Sequence, residues 1–199
     1  MEIGPGRIAT APHAAYVGEA FRHMAARWDD PLSGEGARIR GGRFNPPDSF
    51  PVLYLCTTRP CTVAELHHLG RRQMVGVEGL LPRALFRYRI SLDRVLDLTS
   101  RATLEHLGIT EAQVTGSDLT IPRRIGESAH ATGFQAIKAP SATGVDQSSP
   151  CSPGHWAPVD SCPNSSSAGS RPMTSRYATG AADGSPVDNT DDLTLFGDG

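Results

Sequence analysis

Apolar and polar positions along the first 146 residues follow helix and strand periods, and together they predict an α+β fold. Residues 52–56 (VLYLC) form a short apolar run typical of a buried strand, and residues 84–92 alternate apolar and polar side chains as a half-buried strand does. The segments RVLDLTS and FQAIKAP predict two further strands. Strands and helices mix without regular βαβ alternation, which favours an α+β architecture over a doubly wound one.

Capping residues predict where helices begin and end. Thr58 can cap a helix that runs to about residue 73, with Pro60 in its first turn. Three other helical segments are predicted at residues 100–108, 110–116 and 121–132, with Ser100 as a cap, Gly108 as a stop and Gly133 as the stop of the last. The stretch 22–51 is rich in Gly and Pro and has no clean period, so it predicts strands and long loops.

Residues 147–199 differ in composition from the rest of the chain. They contain two Arg and six Asp, no Ile, Lys or Glu, and many Ser, Pro and Gly residues. Such a segment cannot bury enough apolar surface to offset ~1–2 kcal/mol of backbone entropy per ordered residue. The sequence therefore predicts one ordered region up to residue 146 and a disordered tail at 147–199.

Composition narrows the class of protein. The chain has 199 residues, a net charge of −2 and four Cys without a CxxC pair, which indicates neither a polyanion binder nor a zinc ribbon or disulfide framework. No apolar run approaches the ~20 residues that span a bilayer, and no secretory signal is visible at the start. We therefore expect a soluble, cytoplasmic protein without a membrane partner.

The segment 33–47 (SGEGARIRGGRFNPP) has the composition of an anion-binding loop. Glycines let a backbone approach a ligand closely, and Arg side chains grip phosphate oxygens with two parallel hydrogen bonds. A pyrophosphate would fit such a loop, and an Arg-rich turn over a solvated edge explains it equally well. The chain has no GxGxxG after a strand and no GxxxxGK[ST], so neither Rossmann nor P-loop binding is indicated.

Further candidate residues have plain structural explanations when each is considered alone. Tyr54 points to the opposite face of its strand from its two Leu neighbours and is most simply a half-buried core residue, and Glu65 on the next helix is most simply solvated. His67 and His68 are adjacent on that helix, about 100° apart, and do not form an HExxH zinc motif. No GxSxG elbow supports a serine hydrolase.

Taken together, these residues resemble a known family. The run SGEGARIRGGRFNPPDSFPVLYLCTTRPCTVAEL resembles the signature of RES-domain proteins, and the most specific part is GGR-aromatic-NPP followed by LYL and, eleven residues after the Tyr, a Glu. The similarity covers about residues 21–143, which implies an N-terminal extension at 1–20 and one domain at 21–146. It implies a fold like that of ADP-ribosyltransferases, with a mixed sheet and flanking helices around an NAD cleft. Many members are toxins of toxin–antitoxin pairs that degrade NAD+ at the nicotinamide–ribose bond by hydrolysis or phosphorolysis.

The resemblance also assigns roles to residues of this chain. It implies that Glu65, Arg43 and Thr120 act in catalysis, Thr120 taking the place of a family hydroxyl residue. It implies that NAD+ is held as substrate by the four residues Arg22, Arg43, Tyr54 and Ser141. A carboxylate beside the ribose can stabilise the cation that develops as neutral nicotinamide leaves, and two Arg side chains can neutralise the pyrophosphate. We expect no metal and no separate cofactor, and we expect a cognate antitoxin protein as partner.

The tail departs from the family pattern. Relatives continue after the APSA loop into an apolar strand of the VLAVFP type, whereas this chain enters a Ser/Pro-rich segment at Gln147. One GC-rich set of codons for QSSPCSPG, read two bases along, encodes Val-Val-Ala-Val-Phe-Pro-Gly. We therefore hypothesise that a frameshift replaced the native C-terminus. The sheet would then lack one strand and expose an edge.

Three other functions are compatible with the sequence. The chain could be a catalytically impaired remnant that only binds its antitoxin, or an ADP-ribosyltransferase that modifies a macromolecule. Nucleic-acid binding through Arg38, Arg40 and Arg43 would give a steep salt dependence of affinity, and the small positive charge of residues 1–146 disfavours it. The sequence leaves open whether water or phosphate accepts the ADP-ribosyl group.

Overall fold

A computed structural model describes residues 3–141 and the strand at 191–196. The strands are β1 (Ala14–Ala25), β2 (Val52–Cys56), β3 (Arg83–Asp97), β4 (Ala136–Pro140) and β5 (Asp191–Phe196). The helices are α1 (Pro5–Ala9), α2 (Glu35–Arg40), α3 (Arg59–Arg72), α4 (Arg101–Leu107), α5 (Glu111–Thr115) and α6 (Thr120–Ala131), with a 3₁₀ turn at Glu78–Leu80. This mixture of one sheet with flanking helices confirms the predicted α+β class.

The strands form one mixed sheet that closes in the order β1-β2-β5-β4-β3. β1 and β3 are long antiparallel partners, paired from Ala25↔Arg83 to Ala14↔Val95 with an irregularity near Tyr16. β3 and β4 run parallel, whereas β5 is antiparallel to both β4 and β2. β2 meets β1 at a single register position, Phe21↔Cys56. The parallel β3–β4 pair requires a crossover, which α4, α5 and α6 provide.

The two faces of the sheet bury two different hydrophobic clusters. Along β2, Val52 and Tyr54 belong to the cluster that packs under α4, α5 and α6, and Leu53 and Leu55 belong to the cluster between β1 and β3. This split follows from the two-residue period of a strand. It confirms that Tyr54 points away from both neighbouring leucines. The tyrosine therefore faces the helices and the loop in front of them.

Most predicted helix boundaries are confirmed, because they depend on local chemistry. Thr58 is the N-cap of α3, and its Oγ1 accepts a hydrogen bond from the backbone N–H of Cys61 at 3.2 Å. Gly108 ends α4 and Gly133 follows α6, with φ values of 67° and 77° that favour glycine. Ser100 is the N-cap of α4 by position, without a side-chain capping bond.

Three predictions in the first half of the chain are wrong. The segment 84–97 is one strand, β3, and not two. Its first part pairs with β1 and its last residues also pair with β4. Near the point where β4 joins, the side chain of Gln135 accepts hydrogen bonds from the backbone N–H groups of Asp93 and Arg94, which keeps the strand continuous. The boundary at residue 21 falls inside β1, so residues 14–20 belong to the sheet and not to an extension. The region predicted as strands and loops also contains α2, which buries no residue and so has no apolar period.

The predicted disorder of the tail is wrong for Asp191–Phe196, which form β5 between β2 and β4. The expected gap in the sheet is therefore filled, by a segment much later in the chain than the position at which relatives were expected to supply a strand. The rest of the predicted tail lies outside the described residues. The frameshift hypothesis stays a prediction.

Candidate active site

Glu65 lies on α3, the helix that follows β2. The helix packs against β1 and β2, and its buried residues are Cys61, Thr62, Ala64, Leu66 and Gly70. Glu65 is half-buried beside these residues, so its carboxylate lies at the margin of the core and not on the fully solvated side. Because Thr58 fixes the first turn of α3 immediately after β2, the position of Glu65 is tied to the end of that strand.

Ser141 follows β4 and reaches the same carboxylate. Its Oγ donates a hydrogen bond to Oε1 of Glu65 at 3.2 Å, across 76 positions of sequence. The sequence predicted both residues for one site, and the structure brings them into contact. A hydroxyl that donates to a carboxylate oxygen orients it, and charge-assisted hydrogen bonds of this kind are stronger than neutral ones.

Arg43 holds the Gly-rich loop to the helical layer. Its Nη1 donates to the carbonyl oxygens of Val114 at 2.9 Å and Gly116 at 2.8 Å. These two carbonyls lie at the end of α5, just before α6. The side chain predicted to bind pyrophosphate therefore anchors the loop after α2 to a segment more than 70 residues away. Its positive charge lies at the junction of these two segments.

Tyr54 holds the same loop, at residues 41–47, through its hydroxyl group. Its hydroxyl accepts from the backbone N–H of Phe44 at 2.9 Å and donates to Oδ1 of Asn45 at 2.8 Å. Phe44 is 2% exposed and Asn45 is fully buried, so these bonds are shielded from water. Burial raises the pKa of Tyr54 to about 12, so the phenol is neutral and can donate. The sequence did not single out Asn45 as a functional residue, although it lies in the GGRFNPP run.

Helix α6 packs against the loop at 41–47. A Cβ added at Gly126 would collide with the carbonyl oxygen of Phe44, so only glycine allows this approach of helix and loop. Nε of Arg123 donates to the carbonyl oxygen of Gly42 at 3.2 Å. One turn earlier, Thr120 is exposed at the start of α6, and its backbone and side-chain hydrogen bonds lower the pKa of the Asp118 carboxyl.

Arg22 fixes a different loop. Its Nη1 donates to the carbonyl oxygens of Pro31 at 3.0 Å and Ser33 at 3.1 Å, and the hydroxyl of Tyr88 donates to the same Pro31 oxygen at 2.8 Å. Burial lowers the pKa of Arg22, while Tyr88 and Asp30 act against this shift. A guanidinium has five donors, so these two bonds do not exhaust those of Arg22.

His23, next to Arg22, is a neutral acceptor that sequence reasoning missed. Nη2 of Arg83 lies 2.8 Å from its Nδ1, and burial, together with the charges of Arg83 and Arg22, lowers the pKa of His23 to about 4. Because the Arg83 guanidinium is a donor only, Nδ1 of His23 must accept. A lone His in a half-buried strand gave no signal of this pairing, which depends on the β1–β3 register.

The structure thus places the predicted residues in three groups, each defined by its own hydrogen bonds. Glu65 and Ser141 form one, Arg43 and Tyr54 share the second through the loop at 41–47, and Arg22 secures the loop at 31–33. Thr120 lies on the helix behind the second group. Within residues 3–141, no cluster of three or more His, Cys, Asp or Glu side chains could hold a metal ion. The described helices are all too short or too polar to cross a membrane.

Comparison with known proteins places the fold in a family. Residues 11–152 match the family model of the RES domain. The chain is 33% identical over 127 residues to the NAD(+) phosphorylase MbcT of Mycobacterium bovis and to that of Mycobacterium tuberculosis, covering 63% of this chain and 68% of each relative. It also resembles a chain in the crystal structure of the M. tuberculosis MbcT–MbcA toxin–antitoxin complex, with a TM-score of 0.62 and 30% identity, over 70% of this chain and 77% of that one.

These matches confirm the resemblance that the GGRFNPP and LYL motifs indicated. The family model begins at residue 11, within three residues of the start of β1, which agrees with the structure and not with a domain that begins at residue 21. The matched region includes both members of the Glu65–Ser141 pair and both loop-anchoring arginines. The chain belongs to the RES-domain family.

Proposed function

We propose that this protein is the toxin of a toxin–antitoxin pair and that it degrades NAD+ by phosphorolysis of the nicotinamide–ribose bond. The observation that carries the proposal is the hydrogen-bonded pair of Glu65 and Ser141, inside a RES domain related to proteins named NAD(+) phosphorylase. The partner is an antitoxin protein, by analogy with the MbcT–MbcA complex.

The chemistry requires a group that stabilises positive charge on the ribose. As the N-glycosidic bond breaks, its electron pair goes to the pyridinium nitrogen and neutral nicotinamide leaves. A phosphate oxygen then forms a bond to C1 of the ribose, which gives ADP-ribose 1-phosphate. The Glu65 carboxylate stabilises the oxocarbenium-like sugar, and Ser141 holds one oxygen of that carboxylate in place.

The arginines provide the electrostatic environment for the anionic part of the substrate. Arg22 and Arg43 are the candidate pyrophosphate residues, and each also fixes the loop beneath it through backbone carbonyls. A charge that is already held in place loses little conformational freedom when substrate binds. Tyr54 and Thr120 stay candidate contacts for the nicotinamide and the ribose, and NAD+ is the substrate, with no separate cofactor.

The test is release of nicotinamide from NAD+ by the purified chain, with and without phosphate, beside a Glu65→Gln variant. We expect phosphate-dependent release that falls by about 10²–10³-fold in the variant, the loss typical when one preorganised electrostatic group is removed. Glu105→Gln is the matched control, because Glu105 is exposed on α4 and its side chain forms an i,i+4 pair with Arg101.

Each alternative gives a different result in the same assay. Release that does not need phosphate would assign water as the acceptor. Radiolabel transferred from NAD+ to a protein or nucleic acid would assign ADP-ribosyl transfer. No release by a folded chain would contradict the proposal and favour a remnant that only binds its antitoxin. Equal losses in the Glu65 and Glu105 variants would exclude Glu65 from the chemistry.

A further inference from the structure

Strand β5 connects the two strands that lead to the candidate active site. β2 and β4 are not neighbours in the sheet, because β5 lies between them. The end of β2 continues through Thr58 into α3, which carries Glu65, and the end of β4 continues directly into Ser141. The separation between β2 and β4, and hence the approach of Ser141 to Glu65, is set by the strand in the middle.

β5 provides most of the sheet pairing of both strands. Every residue of β2, from Val52 to Cys56, has a partner on β5, whereas β2 meets β1 only at Cys56. Every residue of β4, from Ala136 to Pro140, has a partner on β5, whereas β4 meets β3 only over Ala136–Lys138. No other strand of the described chain pairs with β2 along its length.

Burial makes this pairing necessary. Val52, Leu55 and Cys56 on β2 are at most 6% exposed, and Ala136, Ile137 and Ala139 on β4 are at most 1% exposed. Backbone N–H and C=O groups in strands this deeply buried need hydrogen-bond partners, because water cannot replace them. Without β5, one edge of each strand would have to open to solvent or collapse onto another segment.

We propose that residues 191–196 act as a positioning strand, which holds β2 and β4 in the register that brings Ser141 against Glu65. The strand is supplied from a part of the chain separated from β4 by residues 141–190. Its proposed role is to position the two strands, and none of its side chains takes part in the reaction. The existence of the strand in the sheet is independent of the proposed function, and only its effect on turnover depends on that function.

The first experiment tests the register of β5 in the full-length chain. Asp192 is the register partner of Cys56, so an Asp192→Cys variant places two thiols at facing positions of an antiparallel pair. Facing Cα atoms in such pairs are about 4.5–5.5 Å apart, within the range that a disulfide spans. Oxidised glutathione, reduced to two glutathione thiols, supplies the oxidant. We expect the peptide map to show a disulfide between Cys56 and the thiol introduced at position 192.

Asp191→Cys is the matched control, because residue 191 lies one position beyond the last β2 pair and its partner is Pro140 on β4. A slip of one residue that brought position 191 opposite Cys56 would reverse which variant links. A folded Asp192→Cys chain that gives no link to Cys56, or both variants linking at equal rates, would overturn the proposal. This result does not depend on enzymatic activity.

The second experiment tests the effect on the site. Thr194→Pro removes a backbone N–H from the middle of a strand paired on both sides, whereas Thr194→Val keeps it and suits a strand. For the proline variant we expect faster amide exchange in β2 and β4 and a fall in kcat of about 10²-fold, the loss that a displacement of ~1 Å can cause, with KM changed much less. The valine variant should keep both measurements at wild-type values.

The results separate this proposal from the proposed function. Unchanged kcat and unchanged exchange in Thr194→Pro would overturn the positioning role. If that variant does not fold, the cross-linked Asp192→Cys chain decides: we expect it to keep wild-type kcat, and an inactive but folded cross-linked chain would overturn the proposed register. Absence of turnover in the wild-type chain would instead refute the proposed function and leave the cross-link as the test of the strand.

Discussion

Replacing Tyr54 by Phe removes one oxygen atom that has two buried partners. The backbone N–H of Phe44 loses its acceptor, and Oδ1 of Asn45 loses its donor, in a place where both residues are almost or completely inaccessible to water. An unsatisfied buried polar group costs ~1–3 kcal/mol, and two of them with some local relaxation cost about 2–4 kcal/mol. For a chain of this size that corresponds to a fall in Tm of about 5–15 °C.

The assay is urea or thermal unfolding of Tyr54→Phe beside Tyr16→Phe. The Tyr16 hydroxyl donates to the carbonyl of Glu19 at 2.9 Å in an exposed position, so water can replace that bond and the loss should stay within ~0.5 kcal/mol. The ring of Tyr54 remains in the Phe variant, so any stacking on nicotinamide should persist. Equal free energies of unfolding for the two variants would refute the view that the Tyr54 hydroxyl secures the Arg43 loop.

Three further predictions follow from contacts elsewhere. Gly126→Ala should lower the free energy of unfolding by ~1–3 kcal/mol, because the new methyl group meets the carbonyl oxygen of Phe44. Gly6→Ala has open space around its Cβ and should raise the free energy of unfolding by ~0.5–1 kcal/mol; urea unfolding of both variants measures the two changes. The pKa of His23 is about 4 in the folded chain, below its ordinary 6.5, so the unfolded chain takes up the proton first as the pH falls. The free energy of unfolding should therefore decrease between pH 6.5 and pH 4, and it should decrease less in His23→Gln; unfolding curves at several pH values measure both. Ser141→Ala should lower kcat for nicotinamide release about tenfold, equivalent to ~1.4 kcal/mol, with KM unchanged; an unchanged kcat would contradict its role.

Sequence reasoning succeeded where local chemistry determines structure. The Thr58 cap and the glycines at 108 and 133 set helix ends through contacts within a few residues, and these boundaries were correctly predicted. β1 was missed because its exposed residues do not alternate cleanly: Val17 is 58% exposed, and Arg22 and His23 are both half-buried. A strand that is held by eleven register positions to β3 needs little amphipathic pattern of its own.

The site was predicted in part for the same reason. The family motifs located Glu65 and Ser141, and only the sheet shows that their side chains meet. The loop-anchoring roles of Arg43 and Arg22 depend on carbonyls of Val114, Gly116, Pro31 and Ser33, which no sequence pattern identifies. β5 was not predicted, because its six residues lie in a polar, Pro-rich region and form a strand only through their pairing with β2 and β4.

The place of β5 in the sheet has a consequence for the timing of folding during synthesis. β2 and β4 emerge from the ribosome well before residues 191–196, and at 5–20 residues per second the delay after residue 141 is about 3–10 s. Throughout that interval the nascent domain carries two unpaired, apolar strand edges that can capture other chains. The β2–β5 pairing also joins residues that lie far apart in the chain, so closure of the sheet should be the slow step of folding. A cell that makes this protein would therefore hold an unfinished and aggregation-prone sheet for seconds before the candidate site can assemble.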